Sequence, residues 1–282
     1  MMTPFNRVTI IGLGLIGGSL GMAIKRRGLA HKVVGLSRKR STIQEAKRLR
    51  AIDEGTTDSV RAVSDADLVV LAAPVEAITP LAQRLAASLK EGSVITDVGS
   101  TKAKIVRELE RSLPRWVSFV GAHPLAGSEK RGIAAASAQL FDGSRCILTP
   151  TARTNPTALR KVKALWSALS VDVVTLSPKQ HDRLLAQTSH LAHLVAFGLV
   201  AATDRQALAI APRSFLDATR VAKSDPDLWD DILLSNQKAI LAAMDRFEKR
   251  WRKARQLLVR SDHQALRRFL AHAYAKRHVL EE

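Results

Sequence analysis

Up to Leu176, short β-branched and aliphatic runs alternate with stretches of helical period. Val8–Ile11, Lys32–Leu36, Leu68–Ala72, Val94–Asp97, Phe119–Gly121, Cys146–Thr149 and Asp172–Leu176 read as strands. Several are apolar without interruption, as strands buried on both faces of a sheet are. Ser41–Arg50, Ala77–Leu89, Lys102–Leu113 and Pro156–Leu169 carry apolar residues at helical spacing. The alternation predicts βαβ units and a doubly wound parallel sheet, an α/β fold of Rossmann type. After Pro178 no strand pattern remains. His181–Thr203, Ser214–Ala222, Leu228–Arg255 and His263–Lys276 read as helices. The expected boundary is Ser177–Pro178, because Pro fits the first turn of a helix. Residues 1–177 then form the nucleotide-binding part and 178–282 an all-helical part. Leu191–Ala202 is apolar nearly all round, which predicts burial against another domain or subunit, and hence a homodimer through the helical part.

Composition narrows the class. With 282 residues and 46% apolar content, a sizeable core in one or two domains is expected. Cys146 is the single cysteine, so no intrachain disulfide forms and no cysteine-based zinc site is expected. The net charge of +18 suits an anionic ligand. Its basic residues are spread along the chain and form no single arm, and only 4% of residues are aromatic, so nucleic acid is not the expected partner. Val8–Ile24 is uncharged over 17 residues but is interrupted by Gly12, Gly14, Gly17, Gly18 and Gly21. That is not a membrane span or a leader, and the expected location is the cytoplasm.

Those glycines carry the first chemical signal. Gly12-Leu-Gly14-Leu15-Ile16-Gly17 follows a strand and opens a helix. Gly12 permits the turn, Gly14 lets a pyrophosphate approach the backbone, and Gly17 lets strand and helix pack closely. The phosphates rest on free N–H groups at the helix start. The next strand ends in Ser37-Arg38 and no carboxylate occurs before Glu45. A ribose 2′-hydroxyl lacks its usual acidic partner there. A 2′-phosphate would gain the Arg38 guanidinium and the hydroxyls of Ser37 and Thr42. NADP is expected over NAD, with NAD still possible. Ala73 and Pro74, after the strand Leu68–Ala72, are placed on the cofactor side as well.

Two later segments lie where an open α/β sheet binds ligands, on loops after strands. Asp97-Val-Gly99-Ser100-Thr101-Lys102 contains Ser100, and Gly121-Ala-His123-Pro124-Leu-Ala-Gly127-Ser128-Glu129 contains His123. A histidine there can take a proton from a substrate hydroxyl while hydride leaves the same carbon. A structural hydrogen bond is the competing role for a lone loop histidine. Ser100 could bond that hydroxyl or the imidazole. Ser189-His190-Leu-Ala-His193 sets two imidazoles at i and i+3 on one helix face, as buried pair or pocket lining. The absence of H-E-x-x-H argues against a metal there. Arg220, among apolar neighbours, offers a planar fork to a carboxylate, or pairs with Asp217.

Taken together, G-L-G-L-I-G-G-S at 12–19, D-V-G-S-T-K at 97–102, H-P-L-A-G-S-E at 123–129, S-H-L-A-H at 189–193 and D-A-T-R-V-A-K-S-D-P at 217–226 resemble the prephenate/arogenate dehydrogenase family. The likeness runs from Val8 to about Met244. It implies oxidative decarboxylation of prephenate, or of arogenate, toward tyrosine. On this resemblance His123 deprotonates the ring hydroxyl and Ser100, which also borders the cofactor, orients it. Arg220 grips a substrate carboxylate, while His193, Glu129 and Ser128 line the substrate side. Glu129 and His193 favour prephenate, whereas Ser37-Arg38 is common among arogenate-type members, and the substrate stays open between them. Ala192 stands where many members have proline, and Leu216 where some have a basic residue. No regulatory or chorismate mutase segment is expected, so inhibition by tyrosine would act at the active site.

Two other readings compete. One is a Rossmann-plus-helical dehydrogenase of the 3-hydroxyacid or imine-reductase type, for which only Lys223 stands out in the helical part. The other is a nucleotide- or nucleic-acid-binding protein without catalysis, which predicts salt-sensitive DNA affinity.

Overall fold

The computed structural model describes residues 5–128 and 130–279. By internal packing the chain divides into two compact units, Met1–Asn236 and Gln237–Glu282. In the first unit the strands are β1 (Phe5–Ile11), β2 (Ala30–Leu36), β3 (Glu54–Thr56), β4 (Leu68–Leu71), β5 (Val94–Asp97), β6 (Ser118–Val120), β7 (Ala122–Pro124), β8 (Arg145–Leu148) and β9 (Asp172–Thr175). Its helices are α1 (Leu15–Arg26), α2 (Arg40–Arg48), α3 (Ser59–Val63), α4 (Val75–Ala86), α5 (Ala103–Ser112), α6 (Pro156–Ala168), α7 (Pro178–Leu185), α8 (Leu191–Ala201), α9 (Arg205–Ala209), α10 (Arg213–Thr219) and α11 (Pro226–Ser235).

β1 to β6 form one parallel sheet in the order β3-β2-β1-β4-β5-β6, the crossover order of a dinucleotide-binding fold. Alternate side chains feed two cores. Val8, Ile10, Val33, Leu68 and Val70 pack with Leu20, Ile24 and Trp166 on one face. Ile11, Leu36, Val69, Leu71 and Ile95 pack with Ile78, Leu85 and Ile105 on the other. The period of two in a doubly covered sheet explains why these strands are apolar at every position. Thr9, the polar residue inside β1, is satisfied by donating its hydroxyl to the Ala62 carbonyl at 2.6 Å.

The single expected sheet is in fact two. β7, β8 and β9 make a separate three-stranded sheet in which β7 and β8 are antiparallel and β8 and β9 parallel. The chain leaves β6 at Val120 and re-enters pairing at Ala122. His123 is therefore the middle residue of a strand opposite Ile147, and not a loop residue as expected.

Ser177 begins α7 with a capping box: its hydroxyl accepts the Gln180 N–H and the Gln180 side chain accepts the Ser177 N–H. Helical structure then runs through a π-turn at Ala186–His190 into α8. α7 packs on α5 and α11 packs on α4, so residues 178–236 share a compact unit with the sheet. The expected long helix Leu228–Arg255 is interrupted at Asn236, which ends α11 in a non-helical conformation (φ −117°). The second unit consists of α12 (Gln237–Val259) and α13 (His263–His278), which pack on each other. The Asp262 carboxylate caps α13 by accepting the Ala265 N–H.

Candidate functional site

A cleft of about 870 Å3 opens at the carboxyl ends of the strands in the first unit. The glycine turn forms one border. Gly12 has φ +96°, and a Cβ there would lie 2.1 Å from the Ala72 carbonyl oxygen. A Cβ on Gly17 would lie 1.9 Å from the Gly12 oxygen, so both positions exclude side chains. Around Gly14 a Cβ would meet nothing within 4 Å, leaving the backbone open to a ligand. No side chain caps α1 and its first turn carries no acid. Its leading N–H groups and positive dipole end are the chemistry a pyrophosphate requires, so the residues present fit a dinucleotide. Leu15, Ile16, Ala73 and Pro74 line the cleft beside this turn.

Ser37, Arg38 and Thr42 lie outside the cleft lining, as Gly12 does. They remain close to the turn, because the Gly12 N–H donates to the carbonyl of Leu36, the residue before Ser37. Arg38 is exposed. Glu45, the first acid beyond β2, is turned onto Arg48, which donates to both of its oxygens at 2.9 and 2.6 Å. Arg48 thereby holds the Glu45 carboxyl below its ordinary range.

Ser100, His123, Ser128, His193 and Arg220 all line the same cleft. Ser100 is half-buried, and Ser128 and Arg220 are exposed. Glu129 lies outside the described residues. His193 donates Nδ1–H to the Ser189 carbonyl at 2.9 Å and stacks on Trp229, with ring centroids 3.6 Å apart. His190, three residues earlier, meets the same indole edge-on. His190 is buried and accepts from the Asn236 amide at 3.1 Å, so it supports the site and does not line it. Trp229 and Asn236 were not singled out in the sequence. The imidazoles at i and i+3 signalled a packed face, but nothing local named their partners.

What stands behind His123 leaves no local signal in the sequence. Its Nδ1 lies 2.8 Å from His181 Nε2, and His181 Nδ1 lies 2.8 Å from Asp182 Oδ1. Asp182 accepts the backbone N–H groups of Lys102 and Ala103, each at 2.8 Å, where α5 begins. The Asn236 amide donates to the Asp182 carbonyl at 2.8 Å. Asp97 and Lys102 form a fully buried ion pair next to this chain. Lys102 also donates to the Ala122 carbonyl at 3.0 Å, and Asp97 accepts the Ala122 and Gly99 N–H groups. Both charges are paired and hydrogen-bonded, which buried ions require, and they clamp the residue before His123. Burial depresses the His123 imidazole well below its ordinary 6.5, with His181, Lys102 and His190 adding to the shift. It is a neutral base at physiological pH. Burial also lowers His181, against the opposing hydrogen bond to Asp182, and takes His190 down to about 4.

Known proteins resemble this chain in sequence and in fold. Residues 20–175 match the family described as "Prephenate dehydrogenase, nucleotide-binding domain", and residues 177–272 match "Prephenate dehydrogenase, dimerization domain". The chain is 36% identical to a cyclohexadienyl dehydrogenase of Zymomonas mobilis, over 93% of this chain and 91% of that protein. It is 36% identical to a prephenate dehydrogenase of Bacillus subtilis, over 94% of this chain and 73% of the relative. The fold superposes on a prephenate dehydrogenase from A. aeolicus solved with hydroxyphenyl propionate and NAD+. The TM-score is 0.93 at 35% identity, covering 99% of this chain and 100% of that one.

Proposed function

The chain belongs to the prephenate dehydrogenase family, and we propose that it catalyses oxidative decarboxylation of prephenate, or of arogenate, in tyrosine biosynthesis. One observation carries this reading. Ser100, His123, His193 and Arg220 come from four separated segments, and they line the same cleft as the Gly14–Gly17 turn. A bound nicotinamide dinucleotide supplies the hydride acceptor. His123, neutral through burial, takes the proton of the ring hydroxyl at the carbon that gives up hydride. The ring loses its carboxylate as carbon dioxide and becomes aromatic. Ser100 orients the hydroxyl, Arg220 holds a substrate carboxylate, and His193 is held toward the substrate by its Trp229 stack. Ser128 adds to the substrate side of the cleft, and the sequence motif assigns the same role to Glu129.

NADP is the preferred cofactor in this reading, with NAD accepted. What supports it is the exposed Arg38 beside Ser37 and Thr42 at the end of β2, with Glu45 engaged by Arg48. A 2′-phosphate there meets a cation where a 2′-hydroxyl would seek an acid.

Residues 1–177 hold the cofactor and supply the base His123, and 178–282 add His193 and Arg220 on the substrate side and the contact between two copies. The homodimer is supported by the dimerization-domain match and by apolar side chains left exposed, among them Leu199, Trp251, Leu258 and Leu270. Pro178–Ala201 is long and apolar enough, by length and composition, to cross a membrane. In this chain it carries His181, Asp182 and His193, which build the site, and we place the enzyme in the cytoplasm.

The test follows nicotinamide absorbance with NADP or NAD against prephenate or arogenate. Reduction with either acid, faster with NADP, is expected. Purified protein that binds NADP yet turns over neither acid would reject the reading.

A further inference from the structure

We infer that His181 and Asp182 are a positioning pair that locks His123 in its Nδ1–H tautomer, leaving the lone pair on Nε2 to receive the substrate proton. The inference rests on the proposed reaction for its purpose, and on hydrogen-bond logic for its content. A carboxylate only accepts. Asp182 already accepts two backbone N–H groups at the start of α5, so its third partner, His181 Nδ1, must be the N–H. A neutral imidazole has one N–H, so His181 Nε2 is an acceptor. His123 Nδ1 sits 2.8 Å from that acceptor and must donate. Nothing in this chain can be reversed singly. If His181 were protonated, its Nε2–H would point at His123 Nδ1, the proton of neutral His123 would move to Nε2, and the base would vanish. The burial that disfavours a charge on His181 is therefore part of the device.

The pair is held from two sides, and His123 from a third. The backbone of Lys102 and Ala103 fixes the carboxylate, and Asn236 fixes the Asp182 main chain. The Asp97–Lys102 ion pair fixes the peptide of Ala122, next to His123. A second imidazole thus stands where a catalytic histidine usually meets a carboxylate directly. The negative charge sits one ring further away, so it selects the tautomer without sitting against His123.

The experiment uses the full chain labelled with 15N-histidine. The His123 signals are identified by their loss in His123→Asn. In the unaltered protein Nδ1 should carry the hydrogen and Nε2 the lone pair. An Nε2–H form there would overturn the inference without any further variant. His181→Phe removes the acceptor, and His181→Gln supplies a carbonyl in its place. In the Phe variant His123 should shift to the Nε2–H form or a mixture. Its kcat should fall about 10²-fold with substrate KM within about twofold, and Gln should recover kcat to within about tenfold of the unaltered protein. Retained Nδ1–H in the Phe variant, or Gln no better than Phe, would overturn it. The spectra decide the positioning claim even if neither acid is turned over, so failure of the reaction and failure of the pair remain distinguishable.

Discussion

His123 and Arg38, the proposed base and the proposed cofactor-selecting cation, stand under opposite constraints. His123 is 8% exposed, sits in a strand, and its ring is tied through His181 to a carboxylate held by two backbone N–H groups. Arg38 stands exposed on the turn after β2, outside the cleft lining. Proton transfer demands one tautomer and sub-ångström placement, which only a dry, fully bonded surround provides. Choosing between a phosphate and a hydroxyl demands only a charge within reach, which an exposed guanidinium supplies. Changes at the buried wall should therefore alter turnover and acid stability. Changes at the exposed edge should alter cofactor choice and salt response.

The largest effect is expected at the buried end. His123→Asn should lower kcat by about 10²–10⁴-fold, the range for removal of a general base, with cofactor affinity preserved. A loss under about tenfold in a folded variant would mean that another group takes the proton.

Next comes stability against pH. His190 titrates at about 4 in the folded protein and near 6.5 when unfolded. As pH falls below 6.5 the unfolded chain binds a proton that the folded chain refuses. Stability is thus complete above 6.5, declines as pH drops to about 4, and then levels for this group. The loss from His190 is about 3 kcal/mol by the usual conversion. Buried His123 and His181 shift in the same direction and steepen the decline. Denaturant titrations across this range should show His190→Gln flattening the slope by about one proton. An unchanged slope would show that His190 is not the residue excluded from protonation.

The smallest effect belongs to the exposed edge. Arg38→Asp should weaken NADP by about 10-fold to 100-fold, the worth of a charge-assisted hydrogen bond, while NAD changes little. The proposed preference for NADP should shrink with added salt, since the guanidinium is solvated. Equal weakening of both cofactors would remove Arg38 from the 2′ position.

Much of this molecule is legible along the chain. The periods of two and 3.6, the glycine turn and the helix start at Pro178 are local, so a few neighbouring residues suffice to specify them. The strand around Val94 and the helix from Pro156 lie within a residue or two of their expected limits. His123, Ser100 and Arg220 are visible because their motifs are continuous. What folding decided is of another kind. β3 and β7 have three residues each, too few to show a period, so pairing alone defines them and carries His123 from loop to strand. The partnership of His123 with His181 spans 58 positions, and that of Asn236 with Asp182 spans 54. Such bonds exist only after α7 and α11 have packed on α5 and α4, because a buried polar group takes whichever partner the packing delivers.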